Sequence, residues 1–125
     1  MFSINLKSRN CIYEQIIEQV EDGVLKGFLK ADEQLPSVRA LSIELTVNPN
    51  TVSKAYAELE RRGIIYTLSG KGCYIKSDAL KSISEKLEKD FDEFYKTVEN
   101  YLHAGIEKEK LIEIIEKIYG GEKND

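Results

Sequence analysis

The sequence has no tryptophan, two prolines, two cysteines and a single histidine. Cys11 and Cys73 lie far apart and neither belongs to a CxxC pair, which indicates two reduced thiols; a disulfide between the first helix and a later strand is the alternative. His103 has no further Cys, His or Asp at ligand spacing. The sequence therefore predicts neither a metal site nor a cofactor.

Long apolar runs and catalytic signatures are also missing. No stretch approaches the ~18 apolar residues of a membrane helix, and the first ten residues lack the apolar segment of a secretory signal. No Ser/His/Asp arrangement and no phosphate-binding loop occurs. With 42% hydrophobic and 32% charged residues, the sequence predicts a globular cytoplasmic protein that is not an enzyme and has no membrane partner.

The net charge of −4 conceals an asymmetry. Residues 1–77 hold ten Lys/Arg and nine Asp/Glu, a charge of +1, whereas residues 78–125 hold eight and thirteen, a charge of −5. Binding of nucleic acid depends on the local field at the binding surface rather than on the total charge, so the N-terminal part stays compatible with it. Its central basic residues are Arg39, Lys54, Arg61, Arg62, Lys71 and Lys76.

Residues 35–63 predict two short amphipathic helices joined by a tight turn. The second helix is the more clearly marked of the two. Asn48 suits an N-cap, Pro49 suits the first helical position, and Gly63 suits the left-handed residue that follows a helix. Only two residues separate this helix from the first one, which spans residues 37–45. Such a pair is typical of a helix-turn-helix.

The helix pair is flanked by one more helix and by a hairpin. An apolar stripe over residues 11–26 predicts a helix that packs across the back of the pair and completes a three-helix core. Residues 64–66 and 73–75 have the composition of two strands around a glycine-rich turn at residues 69–72. The predicted fold is therefore mainly α with a small β-hairpin wing, and residues 1–76 form a winged helix-turn-helix domain.

Residues 77–125 predict a two-helix C-terminal dimerisation region. A continuous apolar seam is followed by a second, shorter helix, and both helices have little chain of their own to cover their stripes. A second copy of the chain would cover them in a homodimer; packing on the body of the same chain is the alternative. The predicted dimerisation residues are Leu80, Ile83, Leu87, Phe91, Phe94, Val98, Tyr101, Leu111, Ile115 and Ile118.

Five motifs follow one another in the first 76 residues: Ile12-Tyr13-x-Gln15-Ile16, Leu35-Pro36-Ser37-x-Arg39-x-Leu41, Val47-Asn48-Pro49-Asn50-Thr51-Val52, Ala55-Tyr56-x-x-Leu59-Glu60-x-x-Gly63 and Gly70-Lys71-Gly72. In order and spacing they resemble the DNA-binding domain of the GntR family of bacterial regulators. The short helical C-terminal part resembles the YtrA subfamily, in which it serves dimerisation. The resemblance implies a homodimeric repressor that binds an inverted repeat in double-stranded DNA, with or without a small-molecule effector.

The resemblance also implies which residues contact DNA. Arg39 matches a family arginine that contacts DNA, and arginine can bind a guanine bidentately or clamp a phosphate. The N-terminal end of the second helix of the pair is the part that enters the major groove in this motif. The predicted DNA-binding residues are Ser37, Arg39, Asn48, Asn50, Thr51, Ser53, Lys54, Gly70, Lys71 and Gly72.

Several of these residues also have a purely structural interpretation. Asn48 favours a helix cap, Ser37 fits either a cap or a phosphate contact, and Lys71 is either a DNA ligand or the solvated lysine of a turn. Thr46 stands where the family usually has glycine, so the turn is either reshaped or strained. Ala31-Asp32 replaces the usual Pro-Gly, which predicts a local change of turn type.

Two other functions stay open at this point. One is an architectural DNA-binding protein without a regulatory switch, because winged helices serve many roles. The other is a protein–protein interaction module whose acidic C-terminal helices do the binding. The architectural protein would bind DNA without a preference for an inverted repeat. The interaction module would keep its activity after Arg39→Ala and lose it when the stripe of Leu87, Phe91 and Phe94 is disrupted.

Overall fold

The structure is a computed structural model that describes residues 2–121. Residues 122–125 of the predicted dimerisation region lie outside that range. The chain divides into two compact units, Met1–Lys86 and Leu87–Asp125. The elements are α1 (Ile12–Leu25), α2 (Val38–Leu45), α3 (Pro49–Arg61), β1 (Ile65–Leu68), β2 (Gly72–Ile75), α4 (Ala79–Lys89), α5 (Phe91–His103) and α6 (Lys108–Tyr119). The prediction of a mainly helical fold with one small hairpin is confirmed.

The first unit is built around a three-helix core, as predicted. Helices α1 and α2 both pack against α3. Apolar residues at helical spacing, such as Ile16 and Val20 in α1 and Val52 and Leu59 in α3, are fully buried. Burying one such side chain contributes about 1.5–3 kcal/mol, so this core stabilises the first unit strongly.

The predicted wing is a hairpin of two antiparallel strands. Ile65 lies opposite Ile75 and Leu68 lies opposite Gly72, so both strands are slightly longer than the sequence suggested. Between them, Gly70 has φ 72° and Gly72 has φ 101°. These are left-handed values that only glycine adopts readily, and they allow the turn at residues 69–72, called the wing tip below.

The connection between α1 and α2 pairs with the outer edge of the wing. Asp32 N donates to Ile75 O at 2.8 Å, Ile75 N donates to Glu33 O at 2.9 Å, and Leu35 N donates to Cys73 O at 2.9 Å. A turn occurs at Ala31-Asp32, where Asp32 has φ 65°, a conformation that Asp tolerates better than most residues. Residues 32–35 thus act as a third, short strand beside β2.

The segment before α1 is held by side chains of that helix. Asn5 N donates to Gln15 Oε1 at 2.8 Å, and Gln15 Nε2 donates to Asn5 O at 3.0 Å and to Asn10 O at 2.9 Å. One turn later, Gln19 exchanges the same pair of bonds with Ser3. Gln15, part of the first family-like motif, therefore has a structural role as a buried amide with all partners supplied.

Helix α4 begins inside the first unit. Ala79 and Ile83 are buried in the same core as α1 and α3, with only 1% and 6% of their surfaces exposed. The compact unit therefore extends to Lys86, ten residues beyond the boundary expected from the sequence. Ile83 was expected on the dimerisation seam, but it packs into the core of its own chain, because its spacing fits both surfaces equally well.

The seam expected to be continuous from Leu80 to Tyr101 is interrupted. Helix α4 ends at Lys89 and α5 begins at Phe91, with Asp90 between them in a turn. The apolar spacing of three and four residues continues across this single-residue break, so the pattern could not reveal it. The predicted two-helix region consequently consists of α4, α5 and α6.

Candidate nucleic-acid interface

The start of α2 presents two of the predicted DNA-binding residues. Ala40 N donates to Ser37 Oγ at 3.0 Å, so Ser37 caps the helix. This bond uses an oxygen lone pair and leaves the hydroxyl proton available for a phosphate. Arg39 is exposed, and among residues 2–121 no carboxylate lies within ion-pair distance of it. Helix dipole and guanidinium together favour an anion at this end.

The start of α3 presents the second group. Asn50 N donates to Asn48 Oδ1 at 2.8 Å, which confirms the predicted cap, and Pro49 occupies the first turn. Asn50, Ser53 and Lys54 are exposed and Thr51 is half-buried. The first turns of this helix therefore offer amide, hydroxyl and ammonium groups to solvent, as a recognition helix requires.

The turn between the two helices is strained. Thr46 has φ 55° and ψ 50°, the left-handed region, and Val47 N donates back to Ser42 O at 3.0 Å. The turn therefore has the left-handed backbone conformation that glycine normally adopts, and threonine adopts this conformation at a cost of about 1–2 kcal/mol. Of the two alternatives from the sequence, a reshaped turn and a strained one, the structure has the second.

Tyr56 fixes α3 against the start of α2. It is buried, and its hydroxyl donates to Pro36 O at 2.7 Å. Burial, together with the electrostatic effects of Cys73 and Glu44, raises the pKa of the Tyr56 phenol well above its ordinary value. The hydroxyl is therefore a permanent donor, and its bond ties the middle of α3 to the residue that precedes the cap of α2.

The wing tip carries Lys71, which is exposed and flanked by Gly70 and Gly72. Among residues 2–121 it has no carboxylate partner. The backbone at Gly70 is open, with no other atom within 4 Å of where a Cβ would lie, whereas the space beside Gly72 is taken by the Gln34 side chain. Such a tip can lie close to a phosphate chain or a groove wall.

The basic residues named from the sequence fall into two groups. Arg61 forms a two-bond pair with Glu58, Arg62 donates to Glu58 at 2.7 Å and to Glu21 at 3.1 Å, and Lys76 lies 3.9 Å from Asp78. Hydrogen bonds from Arg61, and then from Arg62, lower the pKa of Glu58 to about 2. Each of these three cations therefore has a carboxylate partner within the unit.

The other three basic residues, Arg39, Lys54 and Lys71, have no such partner among the described residues. They lie at the start of α2, in the second turn of α3 and at the wing tip. The sequence did not separate the two groups, because Glu21 is 41 positions from Arg62 and no local pattern links them.

Residues 2–121 lack the features of two other kinds of site. No group of three or more His, Cys, Asp or Glu side chains is arranged to hold a metal ion. Within the same range, no helix combines the length and apolarity needed to cross a bilayer.

Two capped helices at a tight turn and a glycine-rich wing, together with Arg39, Lys54 and Lys71, which have no carboxylate partner within residues 2–121, are the features of a winged helix-turn-helix DNA-binding protein. The pattern for bacterial regulatory proteins of the gntR family matches residues 12–75. The chain is also 45% identical, over 130 residues covering all of both chains, to the HTH-type transcriptional repressor YtrA of Bacillus subtilis (strain 168). The chain belongs to the GntR family, and the full-length similarity supports its YtrA subfamily.

Solved structures agree with this assignment. A transcriptional antiterminator from Listeria monocytogenes EGD-e is 38% identical and superposes with a TM-score of 0.75 over 95% of this chain and 90% of that one. YtrA from Sulfolobus acidocaldarius, a GntR-family transcription factor, is 33% identical, with a TM-score of 0.59 over 76% and 94% of the two chains. The protein is therefore a DNA-binding transcription regulator and not an enzyme.

Proposed function

We propose that the protein is a repressor that binds an inverted-repeat operator in double-stranded DNA as a homodimer. The family assignment supports DNA binding, and the full-length relative YtrA is a repressor. Repression would follow from occupancy, because a bound dimer covers the DNA that the transcription machinery needs. This role places the protein in the cytoplasm, where bacterial DNA lies.

The observation that carries the proposal is the division of the basic residues. Only Arg39, Lys54 and Lys71, of the six near the two helices and the wing, are left without a carboxylate partner in the described residues. Neutralising phosphates releases counterions and supplies much of the affinity for DNA. The three cations lie on three different elements, which matches a surface that follows one groove and its two phosphate strands.

The elements would have separate tasks on the DNA. The start of α3 would enter the major groove, where Asn50 can bind an adenine and Thr51 and Ser53 can bind bases or phosphates. Arg39 would clamp a guanine or a phosphate beside it. Lys71, between Gly70 and Gly72, would lie along the adjacent minor groove or on its phosphates.

The proposed dimer uses the apolar face of α5 and α6. No side chain of these two helices is buried, and large apolar residues such as Phe91, Phe94 and Ile118 are exposed on them; exposed apolar patches often mark interaction sites. One groove of about 600 Å³ is lined mainly by Phe91, Phe94, Tyr95, Val98 and Leu102, and a second of about 440 Å³ mainly by Phe94, Val98, Tyr101, Leu111, Ile112 and Ile115.

The predicted dimerisation residues, apart from Ile83, remain available for this contact. Leu80, Leu87, Phe91, Phe94, Tyr101, Ile115 and Ile118 are each at least 43% exposed, while Val98 and Leu111 are half-buried. A second copy of the same chain brings an identical apolar face and is the simplest cover for it.

Dimer symmetry sets the form of the operator. Two recognition helices related by a two-fold axis read half-sites separated by about one helical turn of ~34 Å or by a multiple of it. An effector, where the protein responds to one, would act by favouring one relative orientation of the two DNA-binding units.

The test is fluorescence anisotropy on a duplex that the protein itself selects from a random-sequence pool. We expect an inverted repeat to be selected, and Arg39→Ala to weaken its binding by about 1–3 kcal/mol. Arg61→Ala is the matched control, because it removes the same charge from a residue whose cation is already neutralised; it should change affinity far less. Selection of no common sequence, with Arg39→Ala and Arg61→Ala equivalent, would favour an architectural DNA-binding protein.

A further inference from the structure

The main-chain carbonyl of Lys71 accepts hydrogen bonds from two side chains. Tyr74 Oη donates to it at 2.8 Å, and Gln34 Nε2 donates to it at 3.3 Å. A carbonyl in the turn of an exposed hairpin is ordinarily left to water. Here the two donors come from different parts of the first unit, one from β2 and one from the segment that precedes α2.

Gly72 makes the second of these bonds possible. A Cβ atom at this position would lie 2.8 Å from Gln34 Nε2, closer than such atoms approach. Any other residue here would therefore displace the Gln34 amide from the wing tip, besides straining the backbone at φ 101°. The glycine thus has a role in the wing beyond the turn itself.

Both donors are themselves held in place. The Tyr74 ring stacks on the ring of Tyr66, directly opposite in the hairpin, with centroids 5.5 Å apart and planes at 20°. Tyr66 Oη donates to Asp32 Oδ1 at 2.8 Å, and this bond raises the pKa of the Tyr66 phenol. Gln34 forms a bridge with Tyr74 through the backbone, so its side chain leaves from a fixed point.

We propose that Gln34 and Tyr74 are positioning residues that hold the wing tip so that the Lys71 ammonium reaches the DNA backbone. The inference rests on the proposed function, in which Lys71 contacts DNA. A hairpin with strands of four residues is marginally stable alone, so its tip needs outside support. The segment that carries Gln34 also leads into Ser37 and Arg39, which ties the wing tip to the start of α2.

The experiment compares two hydroxyl deletions on the same stacked pair. Tyr74→Phe removes the donor to Lys71 O and leaves the ring. Tyr66→Phe is the matched control, because it removes a hydroxyl that bonds to Asp32 instead. Gln34→Met removes the second donor while keeping a chain of similar length. Each is measured on the selected duplex by anisotropy across a salt series, alone and combined with Lys71→Ala, with thermal unfolding recorded for each variant.

We expect Tyr74→Phe to weaken binding by about two- to tenfold, the range that one hydrogen bond contributes, and Gln34→Met to do so less strongly. Combined, they should approach the loss caused by Lys71→Ala and lower the salt slope by up to ~0.9, the value for one phosphate. In the Lys71→Ala background neither change should weaken binding further. Tyr66→Phe keeps the stacked ring and the bond from Tyr74 to Lys71 O, so it should weaken binding clearly less than Tyr74→Phe.

Several results would overturn the inference. If the losses of affinity caused by Tyr74→Phe and Lys71→Ala add in the double variant, the tyrosine does not act through the lysine. If Tyr74→Phe and Tyr66→Phe weaken binding equally, the cause is a general loosening of the hairpin. If Lys71→Ala left the affinity for DNA unchanged, Lys71 would not contact the DNA, and Gln34 and Tyr74 would have no contact to position. Arg39→Ala in the same assay would still report on the proposed DNA recognition, so the two failures are distinguishable.

Discussion

The two units of the chain differ in how far their apolar side chains are buried. In the first unit, residues such as Ile16, Leu41 and Leu59 are completely buried, whereas α5 and α6 bury none of theirs. The apolar spacing in the sequence is equally regular in both. Periodicity therefore identifies a helix face that requires a cover, but it does not say whether the same chain or another one supplies that cover.

The largest expected effect concerns the uncovered unit. Phe94→Asp should convert a dimer into monomers, because a charge buried in the contact without a partner costs several kcal/mol. Unfolding of the first unit should change little, since Phe94 lies outside its core. Light scattering gives the mass, and circular dichroism during denaturation gives the stability.

Lys96→Asp is the control for this change, because it places an aspartate at another exposed position of α5 that lines neither apolar groove. A Phe94→Asp protein that keeps its dimer mass would remove α5 from the interface and leave its apolar face to a different partner.

A smaller effect is expected in the covered unit, at the strained turn. Thr46→Gly should stabilise the first unit by about 0.5–1 kcal/mol, since glycine relieves a strain of about 1–2 kcal/mol and loses about 0.5–1 kcal/mol through its greater freedom when unfolded. The denaturant midpoint of unfolding measures this, with Thr46→Ala as a control that keeps the strain. A midpoint lower for the glycine variant than for the alanine variant, as the greater freedom of glycine alone would give, would mean that φ 55° is not strained in this turn.

The smallest effect is expected for Glu58, whose carboxylate joins two arginines near the surface. Its pKa is about 2 in the folded chain, against an ordinary value of 4.5. The stabilisation it gives is therefore fully present above pH ~4.5 and is lost as the pH falls towards ~2.

Glu58→Gln makes this measurable. The unaltered protein should be the more stable of the two near neutral pH, and the difference should shrink between pH ~4.5 and ~2. A difference that stays constant across this range would show that the ion pairs contribute nothing that depends on the carboxylate charge.

The sequence was most informative where a structural role depends on neighbouring residues. The cap at Asn48, the proline after it and the glycines of the wing were predicted because each acts within a few positions of the chain. The resemblance to the GntR family then added function to these local signals, and the family assignment is confirmed.

The structure added what depends on distant parts of the chain. Two pairings join segments that are far apart in sequence: Arg62 with Glu21, and residues 32–35 with β2. Ile83 packs in the core of the first unit although its spacing suits the dimerisation seam equally well. The break at Asp90 escaped prediction for a different reason, since a one-residue interruption leaves the helical period intact.

The segment before α1 shows how side chains can substitute for a neighbouring strand. The side chains of Gln15 and Gln19 form hydrogen bonds with the backbone N–H and C=O groups of Asn5 and Ser3, as a paired strand would. Extended, exposed segments without secondary structure are ordinarily early sites of proteolytic cleavage. The hydrogen bonds to the Gln15 and Gln19 side chains must break before a protease can bind this peptide. The segment should therefore resist limited proteolysis, and Gln15→Ala should make it an early cleavage site.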